Sequence, residues 1–190
     1  MFSQWNGTIG IIRRYWQNYG GFAAIITSPY LHISIFLLIL TIPFWFYNKW
    51  WEQSLSIIPS ILGFTIGGFA IFLGYGNDKF RSLLATEDDK GKSPYLDVTT
   101  TFLHFVIMQT LTLAVALIAN SVNAIPIMEI TNTNRCICIS TIWFLLGFLG
   151  YGIFLYSILL TFAVCFALYR LVCLYIKFET IQAKNQENQS

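Results

Sequence analysis

The stretch Leu55–Tyr75 reads LSIIPSILGFTIGGFAIFLGY and contains no Asp, Glu, Lys or Arg. A helix needs about 20 consecutive apolar residues to cross a hydrocarbon core of about 30 Å. A helix also satisfies its own backbone hydrogen bonds, which a segment in lipid must do because no water is present there. The stretch therefore predicts a helix that crosses a membrane.

Three further runs are equally free of charged side chains. They lie at Leu31–Tyr47, Thr99–Ala119 and Ile137–Tyr169, and each is near the length that a crossing requires or longer. The sequence thus predicts an all-α integral membrane protein with four transmembrane helices. A chain of 190 residues leaves little room for a separate soluble domain.

The basic residues predict the orientation. Nine of the eleven fall in the N-terminal segment, in the loop after the second run and near the C-terminus: Arg13, Arg14, Lys79, Arg81, Lys90, Lys92, Arg170, Lys177 and Lys184. Only Lys49 and Arg135 lie in the other two loops. Cytoplasmic loops carry the excess of Lys and Arg, so both termini are expected in the cytoplasm.

The N-terminal segment has a helical apolar pattern of its own. Steps of three and four residues separate Phe2, Trp5, Ile9, Ile12, Trp16 and Tyr19, which is one face of a helix. Aromatic residues beside arginines are typical of a helix lying in the membrane interface. We expect an interfacial amphipathic helix within 1–28, a four-helix membrane domain over 29–177 with a cytoplasmic hairpin at 77–97, and a polar tail at 178–190.

Small residues mark two sets of positions for close helix packing. The second run carries Ser60, Gly63, Gly67, Ala70 and Gly74 at steps of three or four, and the fourth run carries Gly147 and Gly150. Small residues let two helices approach closely in a membrane. We expect packing within or between subunits here. A pore lining or a gating hinge is the alternative for the second run.

The third run is the most polar. Gln109, Thr112, Ala116 and Asn120 share one helix face, and His104 lies elsewhere on that helix. Polar groups in a membrane span usually face the protein interior and bond across helices. The stripe is therefore expected to be a structural hydrogen-bonding stripe or, alternatively, the lining of a hydrated path.

Two clusters of aromatic or apolar residues lead to further predictions. The segment from Phe44 to Trp51 predicts an aromatic belt at the outer membrane interface. Phe80, Leu83 and Leu84 at helical spacing predict that the second helix continues past the membrane. Phe80, Arg81 and Leu84 are candidate contacts for a soluble cytoplasmic partner. A solvated hairpin tip is the alternative.

Several chemistries lack the residues that they need. No Asp or Glu lies within the four runs, whereas ion-coupled carriers usually have an intramembrane ionisable group. Two histidines on different spans make an acid–base or metal site hard to assemble, and the C-x-C of Cys136 and Cys138 lacks the usual zinc spacing. We expect no enzyme, no cofactor, no metal and, at a net charge of +2, no direct binding of nucleic acid.

Two functional classes remain. One is a non-enzymatic homo-oligomer in the lipid bilayer that acts as a sensor or scaffold and presents cytoplasmic segments to a partner. The other is an ion channel, which can select ions with hydroxyl, amide or carbonyl oxygens and so does not require charges.

The layout of a small chain with four spans, cytoplasmic termini and little soluble mass resembles the membrane subunit of the Kiwa bacterial anti-phage system. The Leu62–Leu84 stretch, whose glycines lead into Asn77-Asp78-Lys79-Phe80-Arg81, is also similar to segments of small defence-associated membrane proteins. The resemblance implies a homotetramer in the bacterial inner membrane that senses phage attack and works with a soluble DNA-binding partner. The competing expectation is a membrane-permeabilising pore effector of another defence system.

Overall fold

The protein is all-helical. The structure, a computed structural model, describes the backbone of residues 2–74, 76–86, 93–123 and 133–188, and the side chains of these residues except 2–4 and 133–143. Helices account for 93% of the described residues, which contain no strand. The predicted all-α class is confirmed. The helices are α1 (Phe2–Tyr19), α2 (Gly21–Ile26), α3 (Pro29–Leu40), α4 (Ile42–Tyr47), α5 (Trp50–Gly74), α6 (Asp78–Ala85), α7 (Pro94–Asn123) and α8 (Thr133–Glu187).

Among the described residues, three helices are long and apolar enough to cross a membrane: α5, α7 and the Phe144–Glu187 part of α8. Their length and composition indicate a membrane protein. Helix α7 is the most enclosed of the three, since a larger share of its most apolar window is buried than in α5 or α8. The second predicted apolar run corresponds to α5, the third to α7, and the fourth lies within α8.

The first predicted run does not form one long helix. Helix α3 ends at Leu40 and α4 begins at Ile42, and between them the Thr41 hydroxyl donates to the carbonyl of Leu37 at 2.7 Å. Pro43 has no N–H, so it cannot donate to the carbonyl four residues earlier, and the helical ladder is interrupted there. The described chain thus has two short apolar helices where the sequence predicts one transmembrane helix.

The second span also ends differently from the prediction. Helix α5 ends at Gly74 and does not continue into the Phe80–Leu84 segment. Gly76 has a φ of +82°, a left-handed conformation that glycine adopts without steric cost. The side chain of Asn77 then accepts from the backbone N–H of Phe80 at 2.8 Å and so caps a new helix, α6.

Helix α8 is continuous over 55 residues, from Thr133 to Glu187. At 1.5 Å per residue a straight helix of this length measures about 80 Å, against a hydrocarbon core of about 30 Å. More than half of α8 must therefore lie outside the hydrocarbon. Residues of the predicted polar tail, up to Glu187, belong to this helix. The hairpin tip at 87–92 and the loop at 124–132 lie outside the described residues.

The chain folds as two compact units. Unit 1 comprises Met1–Ile26, Gly67–His104 and Phe162–Ser190. Its core is aromatic: Phe72 and Phe102 stack with ring centroids 6.0 Å apart, and Phe80 lies edge-on against Tyr175 at 4.9 Å. Offset and edge-to-face ring pairs at such distances add to the energy of simple burial.

Unit 2 comprises Thr27–Ile66 and Phe105–Thr161. Its core consists of Leu38, Trp45, Trp50, Trp51, Ile58, Ala116, Ala119, Tyr151 and Phe154. The indole of Trp45 donates to the carbonyl of Leu38 at 3.0 Å, next to the break at Thr41. The predicted outer aromatic belt is thus wrong for Trp45, Trp50 and Trp51, which are buried. The rings of Trp45 and Trp50 fill the space beside Gly147 and Gly150, as close packing in a protein core requires.

Candidate functional site

Five small residues of α5 form an uncovered face on the protein. Ser60, Gly63, Gly67, Ala70 and Gly74 are all exposed, and we call them the α5 small-residue face. A Cβ atom added at Gly63, Gly67 or Gly74 would meet no atom within 4 Å. The close approach that these residues permit is therefore not used within the described chain.

The small residues of α8 behave in the opposite way. A Cβ added at Gly147 would lie 3.0 Å from Cε3 of Trp45, and one at Gly150 would lie 2.5 Å from Cζ2 of Trp50. Both glycines therefore pack inside unit 2, where they admit the two indoles. They serve helix packing within the subunit and offer no surface to a second subunit.

The polar stripe of α7 divides between interior and surface. Gln109 and Thr112 are fully buried, whereas Asn120 is exposed. The amide of Gln109 donates to the Thr65 hydroxyl of α5 at 3.4 Å. Thr112 donates to the carbonyl of Met108 at 2.8 Å. Gln109 and Thr112 thus lie inside unit 2 among packed helices.

One buried polar atom in this stripe is unpaired. The Oε1 atom of Gln109 has no hydrogen-bond partner among the described residues. A buried carbonyl without a partner costs about 1–3 kcal/mol. The amide is therefore held in place by its single bond to Thr65 and by packing, and it contributes less stability than a fully bonded amide would.

The predicted partner contact on α6 needs correction. Phe80 and Leu84 are buried, because Phe80 packs against Tyr175 and Phe178 of α8 with centroid distances of 4.9 and 5.5 Å. Neither side chain is available to a partner. Arg81 remains partly exposed, 3.3 Å from the carboxylate of Asp78, and a surface pair of this kind contributes little stability.

A hydrogen-bonded aromatic cluster joins α1 to α7 within unit 1. The hydroxyl of Tyr15 is hydrogen-bonded to Nδ1 of His104 at 2.5 Å, and Tyr19 stacks on the same imidazole with centroids 3.9 Å apart. Burial, with a smaller contribution from nearby Tyr19, raises the pKa of Tyr15 to about 12. The phenol is therefore neutral and keeps its proton for this bond at physiological pH.

The sequence alone predicts only part of this aromatic cluster. Tyr15 lies off the predicted apolar face of α1, and His104 lies off the polar stripe of α7. The two residues are 89 positions apart, so no local periodicity connects them. One property of the sequence does indicate such a bond. A histidine within an apolar run, such as His104, requires a hydrogen-bonding partner.

No group of three or more His, Cys, Asp or Glu side chains that could hold a metal ion occurs among the described residues. Cys165 and Cys173 are exposed thiols. The side chains of Cys136 and Cys138 lie outside the described residues. The chain matches no protein-family model, no curated protein and no solved structure.

Proposed function

We propose that this protein is a non-enzymatic homo-oligomer of the bacterial inner membrane, which acts as a sensor or scaffold in anti-phage defence and engages a soluble cytoplasmic partner. The observation that carries the proposed assembly is the uncovered α5 small-residue face, and the defence role is what the resemblance to the Kiwa membrane subunit implies. In lipid there is little hydrophobic drive to join helices, and close packing at small residues supplies the attraction. A second copy of the chain is the occupant that we assign to this face.

The contrast between α5 and α8 supports the oligomer. Gly147 and Gly150 already receive indoles of their own subunit, whereas Gly63 and Gly67 have open space in front of them. Glycine costs about 1 kcal/mol relative to alanine inside a helix. A face built from exposed glycines gains nothing within the subunit that offsets this cost, whereas contact with another subunit offsets it. We propose a tetramer, which is the stoichiometry that the resemblance to the Kiwa membrane subunit implies.

We propose four crossings with both termini in the cytoplasm. The crossings are the α3–α4 pair, α5, α7 and α8. The α3–α4 pair occupies residues 29–47, which is near the length that a crossing requires. An even number of crossings agrees with the charges, since nine basic residues fall in the segments assigned to the cytoplasm and two in the outer loops.

The partner contact is reassigned to exposed residues. On α6 these are Arg81 and Leu83, and on α8 they are Tyr169, Cys173 and Ile176. The three α8 residues follow one another at steps of four and three, which places them along one side of the helix. An exposed apolar stripe flanked by Arg170 and Lys177 suits a partner surface that is apolar at its centre and acidic at its rim.

The pore alternative has less support. Such a pore requires polar side chains along a passage, and the residues expected to line it, Gln109 and Thr112, are enclosed beside Thr65 and Ile153. Their burial favours the hydrogen-bonding stripe. We therefore retain the sensor or scaffold as the proposed function.

Purification in mild detergent from the cells that encode the protein tests the proposal. We expect a homo-oligomer of defined mass that carries a soluble protein in a fixed ratio. Exchange of Tyr169, Cys173 and Ile176 for serine should release the soluble protein and leave the oligomer intact. A monomer, or an oligomer that comes out alone and conducts ions in a planar bilayer, would contradict the proposal.

A further inference from the structure

A half-open cavity of about 500 Å³ lies between α1 and the start of α7, entirely within unit 1. Helix α1 contributes seven residues and α7 contributes four: Asn6, Gly7, Gly10, Ile11, Arg14, Tyr15 and Asn18, then Leu96, Thr99, Thr100 and Leu103. A volume of this size is in the range of small-molecule sites. It lies beside the Tyr15–His104 bond, which holds the two helices together.

The cavity is lined by polar groups that have no internal partner. Among the described residues, none forms a hydrogen bond or ion pair with the side chains of Asn6, Arg14, Asn18 or Thr100. All four can donate hydrogen bonds, and the guanidinium of Arg14 adds a positive charge. No acidic side chain lines the cavity. Its chemistry therefore suits an anion with several acceptor oxygens.

The remaining lining is apolar and open. Gly7 and Gly10 are three positions apart on α1, and a Cβ added at either would meet no atom within 4 Å. Ile11, Leu96 and Leu103 complete the apolar lining. One charged donor, several neutral donors and an apolar surface in one cavity match a molecule that has an anionic head and a hydrocarbon tail.

The surroundings of α1 indicate where that molecule comes from. Trp5, Ile9 and Ile12 expose most of their side chains, and an exposed apolar face on a helix with arginines is typical of a helix in the membrane interface. We propose that the cavity binds one anionic phospholipid, whose phosphate contacts Arg14, Asn18 and Thr100. The upper part of one acyl chain lies over Gly7 and Gly10. Basic pockets beside transmembrane helices bind anionic headgroups in this way.

Adjacent arginines provide a matched pair for the test. Arg13 and Arg14 carry the same charge on the same helix, and only Arg14 lines the cavity. The protein is purified in neutral detergent and mixed with phosphatidylglycerol or phosphatidylcholine of identical acyl chains, and bound lipid is counted by native mass spectrometry. We expect phosphatidylglycerol to be preferred. Loss of one charge-assisted contact in Arg14→Gln should weaken its binding about tenfold, whereas Arg13→Gln should leave it unchanged.

A second variant tests where the acyl chain binds. Gly10→Leu fills the cavity, keeps both arginines and replaces glycine by a better helix former, so the protein should fold normally. Phosphatidylglycerol binding should fall as far as in Arg14→Gln. Undiminished binding by Gly10→Leu, equal losses in both arginine variants, or equal affinity for phosphatidylcholine would each overturn the proposal. Displacement of the lipid by an excess of inorganic phosphate would also overturn it, since the site would then recognise the ion alone.

Discussion

The indole of Trp50 occupies the space that a side chain at Gly150 would need, because a Cβ at residue 150 would lie 2.5 Å from Cζ2 of this ring. Trp45 has the same relationship to Gly147. These two contacts join the segment around α4 and the start of α5 to α8 within unit 2. In these two contacts, glycine leaves room for a bulky ring where the subunit packs against itself. The glycines of the α5 small-residue face have no such neighbour, which is the basis for proposing that they contact another subunit.

Substitution of Gly150 should damage the subunit itself. Gly150→Leu forces a side chain into the ring of Trp50, and overpacking of this kind costs about 1–3 kcal/mol. Unfolding in a titration with a denaturing detergent, followed by tryptophan fluorescence, should shift to lower detergent concentration. Ala114→Leu is the control, because residue 114 is exposed on α7 and lies outside the α5 small-residue face. Equal stability of the wild type and Gly150→Leu would mean that the indole does not pack as described.

Cysteine accessibility should separate the interior of the polar stripe from its surface. In a variant without the four native cysteines, Gln109→Cys and Thr112→Cys should react very slowly with a membrane-impermeant thiol reagent, because both positions are fully buried. Asn120→Cys should react quickly, since Asn120 is exposed. Fast modification at residue 109 from the aqueous phase would instead indicate a hydrated path along α7.

The burial of Phe80 predicts its effect on proteolysis. Phe80→Ala removes the ring that packs on Tyr175 and Phe178, and the local cost should be about 3–5 kcal/mol. Trypsin cleavage after Lys79 or Arg81 follows local opening and should accelerate roughly 100-fold or more. Leu83→Ala, at a side chain that is 53% exposed, should change the rate little. Similar rates in the two variants would argue against the docking of α6 on α8.

Tyr15 should titrate at a higher pH than an ordinary tyrosine. Burial raises its pKa to about 12 in the folded protein, against an ordinary value of 10. The folded state therefore holds the proton more tightly than the unfolded state. Stability from this group is present below pH 10 and is lost as the pH rises through 12. The tyrosinate difference spectrum between the wild type and Tyr15→Phe should show one transition near pH 12, and a transition near pH 10 would contradict the burial of Tyr15.

The sequence predicted the membrane class because that class depends on composition along the chain. The absence of charge over Leu55–Tyr75 and Thr99–Ala119 is sufficient to predict long helices there, since lipid offers the backbone no other partner. Helix ends were less predictable. The stops at Gly74 and Leu40 depend on backbone conformation at Gly76 and on the donor missing from Pro43, and these local effects compete with apolar periodicity.

Side-chain partners were the least predictable part. An aromatic residue at a helix end can lie in the membrane interface or in the core, and only the packing against Gly147 decides this for Trp45. Phe80 is ambiguous in a similar way, because an apolar residue beside a loop can pack against its own chain or against another protein. The Tyr15–His104 bond joins distant segments, and no pattern along the chain encodes it.

The mass of the detergent-solubilised complex, measured for the wild type and for the double variant Gly63→Leu with Gly67→Leu, tests the central claim most directly. Ala114→Leu is the control, because it also introduces a leucine at an exposed position, but on α7. The account predicts an oligomer for the wild type and for Ala114→Leu, and a monomer for the double variant with unchanged helix content. An oligomer of unchanged mass in the double variant would contradict assembly through the α5 small-residue face.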